Sequence, residues 1–208
     1  MAFIKTQSSR TLAVIDFETT GLSAERDRII EVGAVIIENG KVKDTFAELV
    51  NPGFRIPGFI SQLTGITNEM LLGKPMPQQI MPQLKKFLAN YTILAHNASF
   101  DSRFLKAEIQ RARLEINNPF LCTMMLARRI IPEAPNHRLS GLATFLNFKI
   151  GRAHRALDDV HLTVDLWNYL AQRVKTKTGH QDPDLSLFEK LVKKPKSQSE
   201  RFLKEMSL

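Results

Sequence analysis

The sequence TLAVIDFETTG at residues 11–21 decides the fold, because it joins a buried strand to two acids and a turn. Its apolar run at residues 12–15 is typical of a strand that is buried on both faces. Asp16 and Glu18 follow, and the two-residue period of a strand places both side chains on one face of the sheet. Two carboxylates about 4 Å apart repel each other by roughly 4 kcal/mol at an effective dielectric constant of about 20, a cost that a bound cation relieves. If Asp16 merely capped the Thr-Thr-Gly turn, Glu18 would have no role.

Outward from this strand, the sequence predicts a mixed sheet with helices on its faces. Strands at residues 29–38 and 42–50 are joined by an Asn-Gly hairpin turn, so the first three strands form an antiparallel meander. Strands at residues 91–96 and 120–123 then alternate with helices, which is typical of parallel pairing. Residues 53–75 are rich in Gly and Pro and are predicted to form short, irregular pieces. Helices are predicted at residues 77–89, 99–113, 124–131, 139–146 and 156–174.

The size and composition of the chain favour one domain followed by a basic tail. The domain is predicted over residues 1–174 and the tail over residues 175–208, where Lys, Ser, Gln and Pro become frequent. We expect the tail to be flexible or to end in a loosely attached helix that contains the apolar patch at residues 185–191.

The charge and cysteine content restrict the partners and the compartment. The formal net charge of +8 favours a polyanionic partner, of which nucleic acid is the commonest, although a merely basic surface has the same charge. The single Cys122 excludes an intrachain disulfide. Residues 1–10 lack the apolar core of a signal peptide, and no run approaches the roughly 18 apolar residues of a membrane span. The sequence therefore predicts a cytoplasmic protein with no membrane partner.

Two more clusters of polar residues are candidates for the same site as Asp16 and Glu18. Asp101 stands at the end of a predicted strand where a helix begins, a place at which an acid also suits the helix dipole. His154 and Asp159 flank the start of the last helix. Since a helix turns by about 100° per residue, they would lie on different sides of one continuous helix. His154 is therefore predicted to precede the helix on a mobile loop, with Asp159 pointing into the site.

Four acids and a histidine in one pocket predict a site for two divalent metal ions and a general base. Oxygen ligands favour Mg²⁺ or Mn²⁺ over zinc. The ordinary pKa of a histidine, about 6.5, suits His154 for taking a proton from water, whereas the alternative is a surface histidine beside a helix cap. Such a site can hydrolyse phosphodiester bonds at the end of a strand.

The three clusters resemble the motifs of the DEDDh 3′-to-5′ exonucleases. The family's motifs match at every fixed position: D-x-E-T-T-G at residues 16–21, H-N-x-x-F-D at residues 96–101 and H-x-A-x-x-D at residues 154–159. The segment LTGIT at residues 63–67 also resembles a family element that packs under the terminal base, and Arg155 stands where a sister group carries tyrosine. The resemblance covers residues 10–172. It implies an α/β, ribonuclease H-like fold: a five-stranded mixed sheet of order 3-2-1-4-5, with strand 2 antiparallel, flanked by helices.

The resemblance also implies a role for each residue of the site. Asp16, Glu18 and Asp159 would bind the more tightly held of two metal ions. Asp16 would bridge to the second ion, which Asp101 would help to hold, while His154 would take a proton from the attacking water. The candidate substrate-binding residues are Phe17, Thr19, Thr20, Leu63, Ile66, Asn97 and Phe100. The large apolar members of this set are also suited to packing in the core.

The activity that this resemblance implies is metal-dependent 3′–5′ exonuclease cleavage of DNA with release of nucleoside 5′-monophosphates, in proofreading or repair. The chain is similar to the proofreading epsilon subunits of bacterial DNA polymerase III, which implies single-stranded DNA or frayed duplex 3′ ends, and polymerase subunits, as partners in the bacterial cytoplasm. RNA-directed members of the family, of the ribonuclease T or oligoribonuclease kind, are the alternative, because no residue pattern here identifies the 2′-hydroxyl group. A non-catalytic nucleic-acid or clamp-binding module is an alternative of another class, and the presence of all the metal ligands disfavours it.

The tail carries a second resemblance. Residues 184–188, DLSLF, resemble the pentapeptide that binds bacterial sliding clamps, with Asp where Gln is usual. Leu185, Leu187 and Phe188 would then fill an apolar pocket of the clamp from a flexible strand. The alternative is that the same side chains pack the tail onto the domain.

Overall fold

The computed structural model describes residues 11–149, 151 and 154–207. The predicted absence of a signal peptide from residues 1–10 therefore lies outside the described residues. The sheet has five strands in the order β3-β2-β1-β4-β5, which confirms the predicted order. The strands are β1 Thr11–Thr19, β2 Ile29–Glu38, β3 Lys41–Leu49, β4 Thr92–Ala95 and β5 Phe120–Cys122. β2 pairs antiparallel with β1 and β3, whereas β4 pairs parallel with β1 and β5, as predicted.

Helices connect and cover these strands. They are α1 Gly58–Thr64, α2 Asn68–Leu71, α3 Pro77–Leu88, α4 Ser99–Arg111, α5 Thr123–Ile130, α6 Leu139–Phe145, α7 Ala156–Thr178, α8 Leu185–Lys193 and α9 Ser199–Glu205. The segment predicted to be short and irregular, residues 53–75, contains the short helices α1 and α2. Gly65, at a φ of 71°, adopts the left-handed conformation that ends α1. None of the described helices combines the length and the apolar character that a membrane span needs.

The alternating side chains of β1 face two separate apolar cores. Leu12 and Val14 belong to the core beneath α7, whereas Ala13 and Ile15 belong to the core beneath α3 and α4. All four side chains are buried, as the apolar run predicts. The even-numbered residues of β1 therefore face α7, and this alternation continues towards the carboxyl end of the strand.

The prediction of a flexible or loosely attached tail is wrong for the described residues 179–207. These residues form α8 and α9, which pack against α5 and α7 and close the core beneath α7. The ring of Phe188 on α8 lies 4.7 Å from the ring of Trp167 on α7. The buried Arg129 of α5 donates through Nε and Nη2 to the carbonyl oxygen of Lys194, just past α8, at 2.9 and 2.7 Å.

The structure also contradicts the predicted presentation of Leu185, Leu187 and Phe188 to a sliding clamp from a flexible strand. The three residues open a helix, and Leu187 and Phe188 are only 4% and 2% exposed in the core of the domain. Asp184, which departs from the clamp pentapeptide, caps this helix by accepting a hydrogen bond from the backbone N–H of Ser186 at 3.0 Å. The alternative holds instead, because an amphipathic helix buries the same apolar residues against its own domain.

Candidate active site

The carboxyl end of β1 places two acids beside the start of α7. Asp16 is half-buried and Glu18 is buried, and both lie on the side of β1 that faces α7. The pairing register with β2 shifts between Glu18 and Thr19, and β1 ends at Thr19, one residue after the second acid. A turn follows, closed by the backbone N–H of Thr20, which donates to the carbonyl oxygen of Arg28 at 2.9 Å.

Asp101 reaches the same edge of the sheet from the neighbouring strand. β4 runs parallel to β1 and ends at Ala95, and Asn97, with a left-handed φ of 66°, turns the chain into α4. Asp101 lies in the first turn of α4 and is 1% exposed. Neither of its carboxylate oxygens has a hydrogen-bond partner among the described residues. A buried carboxylate without a partner is costly, and a proton or a cation relieves that cost.

The start of α7 completes the site. Asp159 lies in the first turn of α7, and His154 lies in an exposed turn before the helix, as predicted. One ligand atom from each of Glu18, His154 and Asp159 lies within 4.8 Å of the other two. This spacing can hold a metal ion. Asp16 and Asp101 lie outside this group of three, but their carboxylates interact electrostatically with the carboxylates in it.

Burial and mutual repulsion favour the protonated form of these acids. Burial raises the pKa of Asp16 well above its ordinary value, and the charges of Asp101, Asp159 and Glu18 raise it further. Burial also raises the pKa of Glu18 to about 8, with repulsion from Asp159 adding to the effect. The pKa of Asp101 is raised by burial to about 7, against the opposing influence of nearby backbone N–H groups. Burial raises the pKa of Asp159, while the charge of His154 lowers it.

The donor set fits divalent cations. It offers carboxylate oxygens that are buried, close together and partly without hydrogen-bond partners in the described chain, beside the imidazole of His154. A divalent cation would offset the repulsion that adds to the effect of burial on the pKa values of Asp16 and Glu18. The ionised carboxylates would then serve as its ligands.

Some of the candidate substrate-binding residues are buried. The side chains of Phe17 and Ile66 lie in apolar cores at 4% and 0% exposure. Thr20 is 2% exposed, and its hydroxyl group donates to the carboxylate of Asp27 and accepts from the backbone N–H of Arg28. The core and the turn already engage these three side chains, and contact between Phe17, Thr20 or Ile66 and a nucleotide stays a prediction.

The other candidate substrate-binding residues differ in how far solvent reaches them. Leu63 is 51% exposed on α1, and Asn97 is exposed at its turn. Phe100 is half-buried, with its ring 4.8 Å from the ring of Phe104. Thr19 is buried, and its hydroxyl group donates to a backbone carbonyl of the turn at 2.6 Å. Leu63, Asn97 and Phe100 leave side-chain surface for contact with a substrate, and such contact stays a prediction for these three residues and for Thr19.

The sequence motifs did not reveal the roles that Glu31, Arg155 and Gly33 have beside the site. Glu31 is 6% exposed in β2, directly opposite Glu18 on β1, and it forms an ion pair with Arg155 at 2.7 Å. Gly33 lies under the start of α7, where an added Cβ atom would lie 2.5 Å from the carbonyl carbon of Ala156. The signal was an acid and a glycine inside an otherwise apolar strand, which indicate a paired charge and a close backbone approach.

Comparison with known proteins agrees with this geometry. The sequence matches the model of the RNase_T exonuclease family over residues 13–167. It is 34% identical over 173 residues to the DNA polymerase III subunit epsilon of Aquifex aeolicus, covering 83% of this chain and 86% of that one. It is 37% identical over 162 residues to a PolC-type DNA polymerase III from Caldanaerobacter subterraneus, covering 78% of this chain. The chain spans only 12% of that relative's length.

The fold of this chain is also similar to that of a solved exonuclease structure. Exonuclease X, in complex with 5′ overhanging duplex DNA, matches with a TM-score of 0.67 and 27% sequence identity. The match covers 85% of this chain and 98% of that one. The sheet order and this likeness confirm the predicted ribonuclease H-like fold. The nuclease domain of 3′hExo, a DEDDh family member, has a similar fold, with a TM-score of 0.68 and 22% sequence identity.

Proposed function

The chain belongs to the RNase T family of exonucleases and is an exonuclease of the DEDDh type, and we propose that it removes nucleotides one at a time from the 3′ ends of DNA. The observation that carries this proposal is the convergence of acids from three separate elements beside one histidine. Asp16 and Glu18 come from β1, Asp101 from α4 and Asp159 from α7, and His154 lies at the start of α7.

Divalent metal ions are the cofactors of DEDDh exonucleases, and the donor set fits them. We assign them as Mg²⁺ or Mn²⁺, because carboxylate oxygens suit these ions better than softer ones. Asp16, Glu18 and Asp159 would hold one ion, and Asp16 and Asp101 would hold a second. Bound ions of this kind lower the pKa of an attacking water and offset charge on the leaving oxygen.

His154 supplies the general base. Its imidazole is exposed and lies beside the carboxylates of Glu18 and Asp159, so it can take a proton from a water molecule that attacks the terminal phosphorus. The bond from phosphorus to the 3′ oxygen of the preceding nucleotide breaks. The released nucleotide keeps the phosphate, and the shortened strand ends in a 3′-hydroxyl group.

DNA as the substrate is supported by the relatives and by charge. The Aquifex aeolicus relative is a subunit of DNA polymerase III, and Exonuclease X was solved with DNA. The net charge of +8 also favours a nucleic-acid partner. We also propose that the protein proofreads beside polymerase subunits. This role is a proposal because the chain spans only 12% of the PolC-type relative, so similarity alone does not carry the role of that whole polymerase over to it.

A degradation assay tests the proposed activity. With Mg²⁺ or Mn²⁺, the protein should shorten a 5′-labelled single strand of DNA stepwise from its 3′ end, and EDTA should stop the reaction. Asp16→Ala should abolish cleavage. His154→Ala should keep metal binding but lower kcat by roughly 10²- to 10⁴-fold, the usual contribution of a general base. Asp165→Ala, which changes an exposed acid on α7, is the matched control and should cleave normally.

Substrate choice is measured by digesting single-stranded DNA, duplex DNA with a mismatched 3′ end and short RNA in parallel. A strand with a blocked 3′ end should resist, because the attack starts there. Faster cleavage of RNA than of either DNA would overturn the proposed substrate. Equal cleavage by Asp16→Ala and the unchanged protein would overturn the proposed site.

A further inference from the structure

We propose that the ion pair between Glu31 and Arg155 positions His154 beside the metal-binding acids, an inference that rests on the proposed function. Arg155 directly follows His154 in the chain. Its Nε and Nη2 both donate to Oε1 of Glu31, at 3.1 and 2.7 Å. The backbone N–H of Ala156 donates to Oε2 of Glu31 at 2.9 Å. One carboxylate on β2 therefore holds both residues that follow His154.

Close packing of α7 on the sheet brings this carboxylate within reach. Across the two strands, Glu31 lies opposite Glu18 and Gly33 lies opposite Asp16. Because Gly33 has no side chain, the backbone of Ala156 can approach β2 so closely that a Cβ atom on this glycine would lie 2.5 Å from its carbonyl carbon. The start of α7 thus rests directly on the strand positions that pair with the two acids of β1.

The hydrogen bonds of Glu31 distinguish it from the proposed metal ligands. Both of its oxygens accept from the start of α7, whereas both oxygens of Asp101 are without a partner in the described chain. The charge of Glu31 raises the pKa of Glu18, and the charge of Arg155 lowers it. Arg155 therefore offsets an acid that would otherwise add to the repulsion in the site. Glu31 and Arg155 are positioning residues, because they act through His154.

The backbone of His154 needs such an anchor. Its φ of 61° lies in the left-handed region, which residues other than glycine adopt only where the surrounding structure imposes it. Release of the two residues that follow would let this exposed turn relax and carry the imidazole away from Glu18 and Asp159. A displacement of about 1 Å at a catalytic group can cost about 100-fold in rate. The anchor should therefore affect kcat far more than KM.

A double-mutant cycle on kcat tests this inference at saturating metal concentration. Arg155→Ala should lower kcat roughly 10- to 100-fold with little change in KM. In the His154→Ala background the same substitution should have almost no further effect, because the positioned group is gone. Arg155→Lys keeps the charge but not the two-nitrogen contact, so its kcat should lie between those of the unchanged protein and Arg155→Ala. Arg173→Ala removes an exposed ion pair with Glu133 and should leave kcat unchanged.

The NMR resonances of the histidine rings give a readout that does not depend on turnover. The chain has five histidines, and His154→Ala identifies the resonance of His154 by its loss. Arg155→Ala should shift or broaden that resonance and leave those of His161 and His180 in place. Equal loss of kcat in both backgrounds, or an unchanged His154 resonance, would overturn the inference. A fully active Asp16→Ala protein would instead overturn the proposed function.

Discussion

Among single residues, Asp101 is the clearest sign of what the site binds. Its side chain is 1% exposed, no described group forms a hydrogen bond with its oxygens, and burial raises its pKa to about 7. Such a group lowers stability unless something binds it, which is typical of functional sites. The motif at residues 96–101 predicts the acid. It cannot predict the isolation of the carboxylate, which depends on how α4 meets the sheet.

Replacing Asp101 with Asn should stabilise the metal-free protein at alkaline pH. The pKa of Asp101 is raised from 3.8 to about 7 in the folded state, so the folded protein holds this proton more tightly than the unfolded chain does. The resulting contribution to stability is fully present below about pH 4 and is lost as the pH rises through about 7. In EDTA, the Tm of the unchanged protein should therefore fall as the pH rises from about 4 to about 7 and should level off above that. The fall should be several degrees, since about 1 kcal/mol moves the Tm of such a domain by about 2–4 °C.

Thermal melts followed by circular dichroism measure this effect. Asp101→Asn should show a smaller fall in Tm over the same pH range, because it has no proton to lose. Asp165→Asn, at an exposed position on α7, should follow the unchanged protein. The same pH slope for Asp101→Asn and the unchanged protein would contradict the prediction.

Metal binding should release protons near neutral pH. The pKa of Glu18 is raised to about 8 and that of Asp101 to about 7, so both acids hold a proton part of the time at neutral pH. An ion that uses these carboxylates must displace those protons. The affinity for Mn²⁺ should therefore rise between about pH 6 and about pH 8. Calorimetry in buffers of different ionisation enthalpy should detect the release, and a pH-independent affinity would contradict it.

Among the elements, β2 shows what periodicity can and cannot predict. The strand is predicted at residues 29–38 and is observed over Ile29–Glu38, because its apolar residues and its Asn-Gly turn are local signals. The partner of Glu31 is not local: Arg155 lies 124 residues further along the chain. Apolar patterns indicate which face of an element is covered but not which distant residue covers it. The anchor of His154 could therefore be found only in the folded structure.

Replacing Gly33 with Ala should displace the start of α7 and disable the site. The added methyl group would lie 2.5 Å from the carbonyl carbon and 2.6 Å from the carbonyl oxygen of Ala156, and backbone cannot yield as a flexible side chain can. We expect a loss of about 1–3 kcal/mol of stability, as for other overpacked sites. Cleavage should also fall at temperatures where the variant is folded, because Asp159 and His154 would move with the helix.

Urea unfolding and the degradation assay measure the two effects of this substitution. Gly58→Ala is the matched control, because nothing lies within 4 Å of a Cβ atom at that position. It should change neither stability nor cleavage appreciably. A folded Gly33→Ala protein with unchanged kcat would show that α7 does not need its close contact with β2.

At the scale of the whole molecule, the helices α8 and α9 beyond α7 contribute apolar side chains to the core of the domain. The sequence could not decide this, because Leu187 and Phe188 on a short segment suit an apolar pocket of a partner as well as they suit their own domain. What decides is the place of Trp167 on α7, whose ring packs against that of Phe188. The acids of the site were easier to predict than this contact. Each lies near the end of a strand or the start of a helix at one edge of the sheet, and its motif is only a few residues long.

Removing the ring of Phe188 should therefore destabilise the exonuclease domain itself. Phe188 is 2% exposed, and replacing a buried Phe with Ala typically costs about 3–5 kcal/mol. Because α8 closes the same core that supports α7, urea unfolding of Phe188→Ala should remain one transition, at a lower midpoint, and cleavage should be lost over the same range. Ser186→Ala, at an exposed position on α8, is the matched control. An unchanged midpoint for loss of cleavage in Phe188→Ala would show that α8 and α9 are independent of the domain that carries the site.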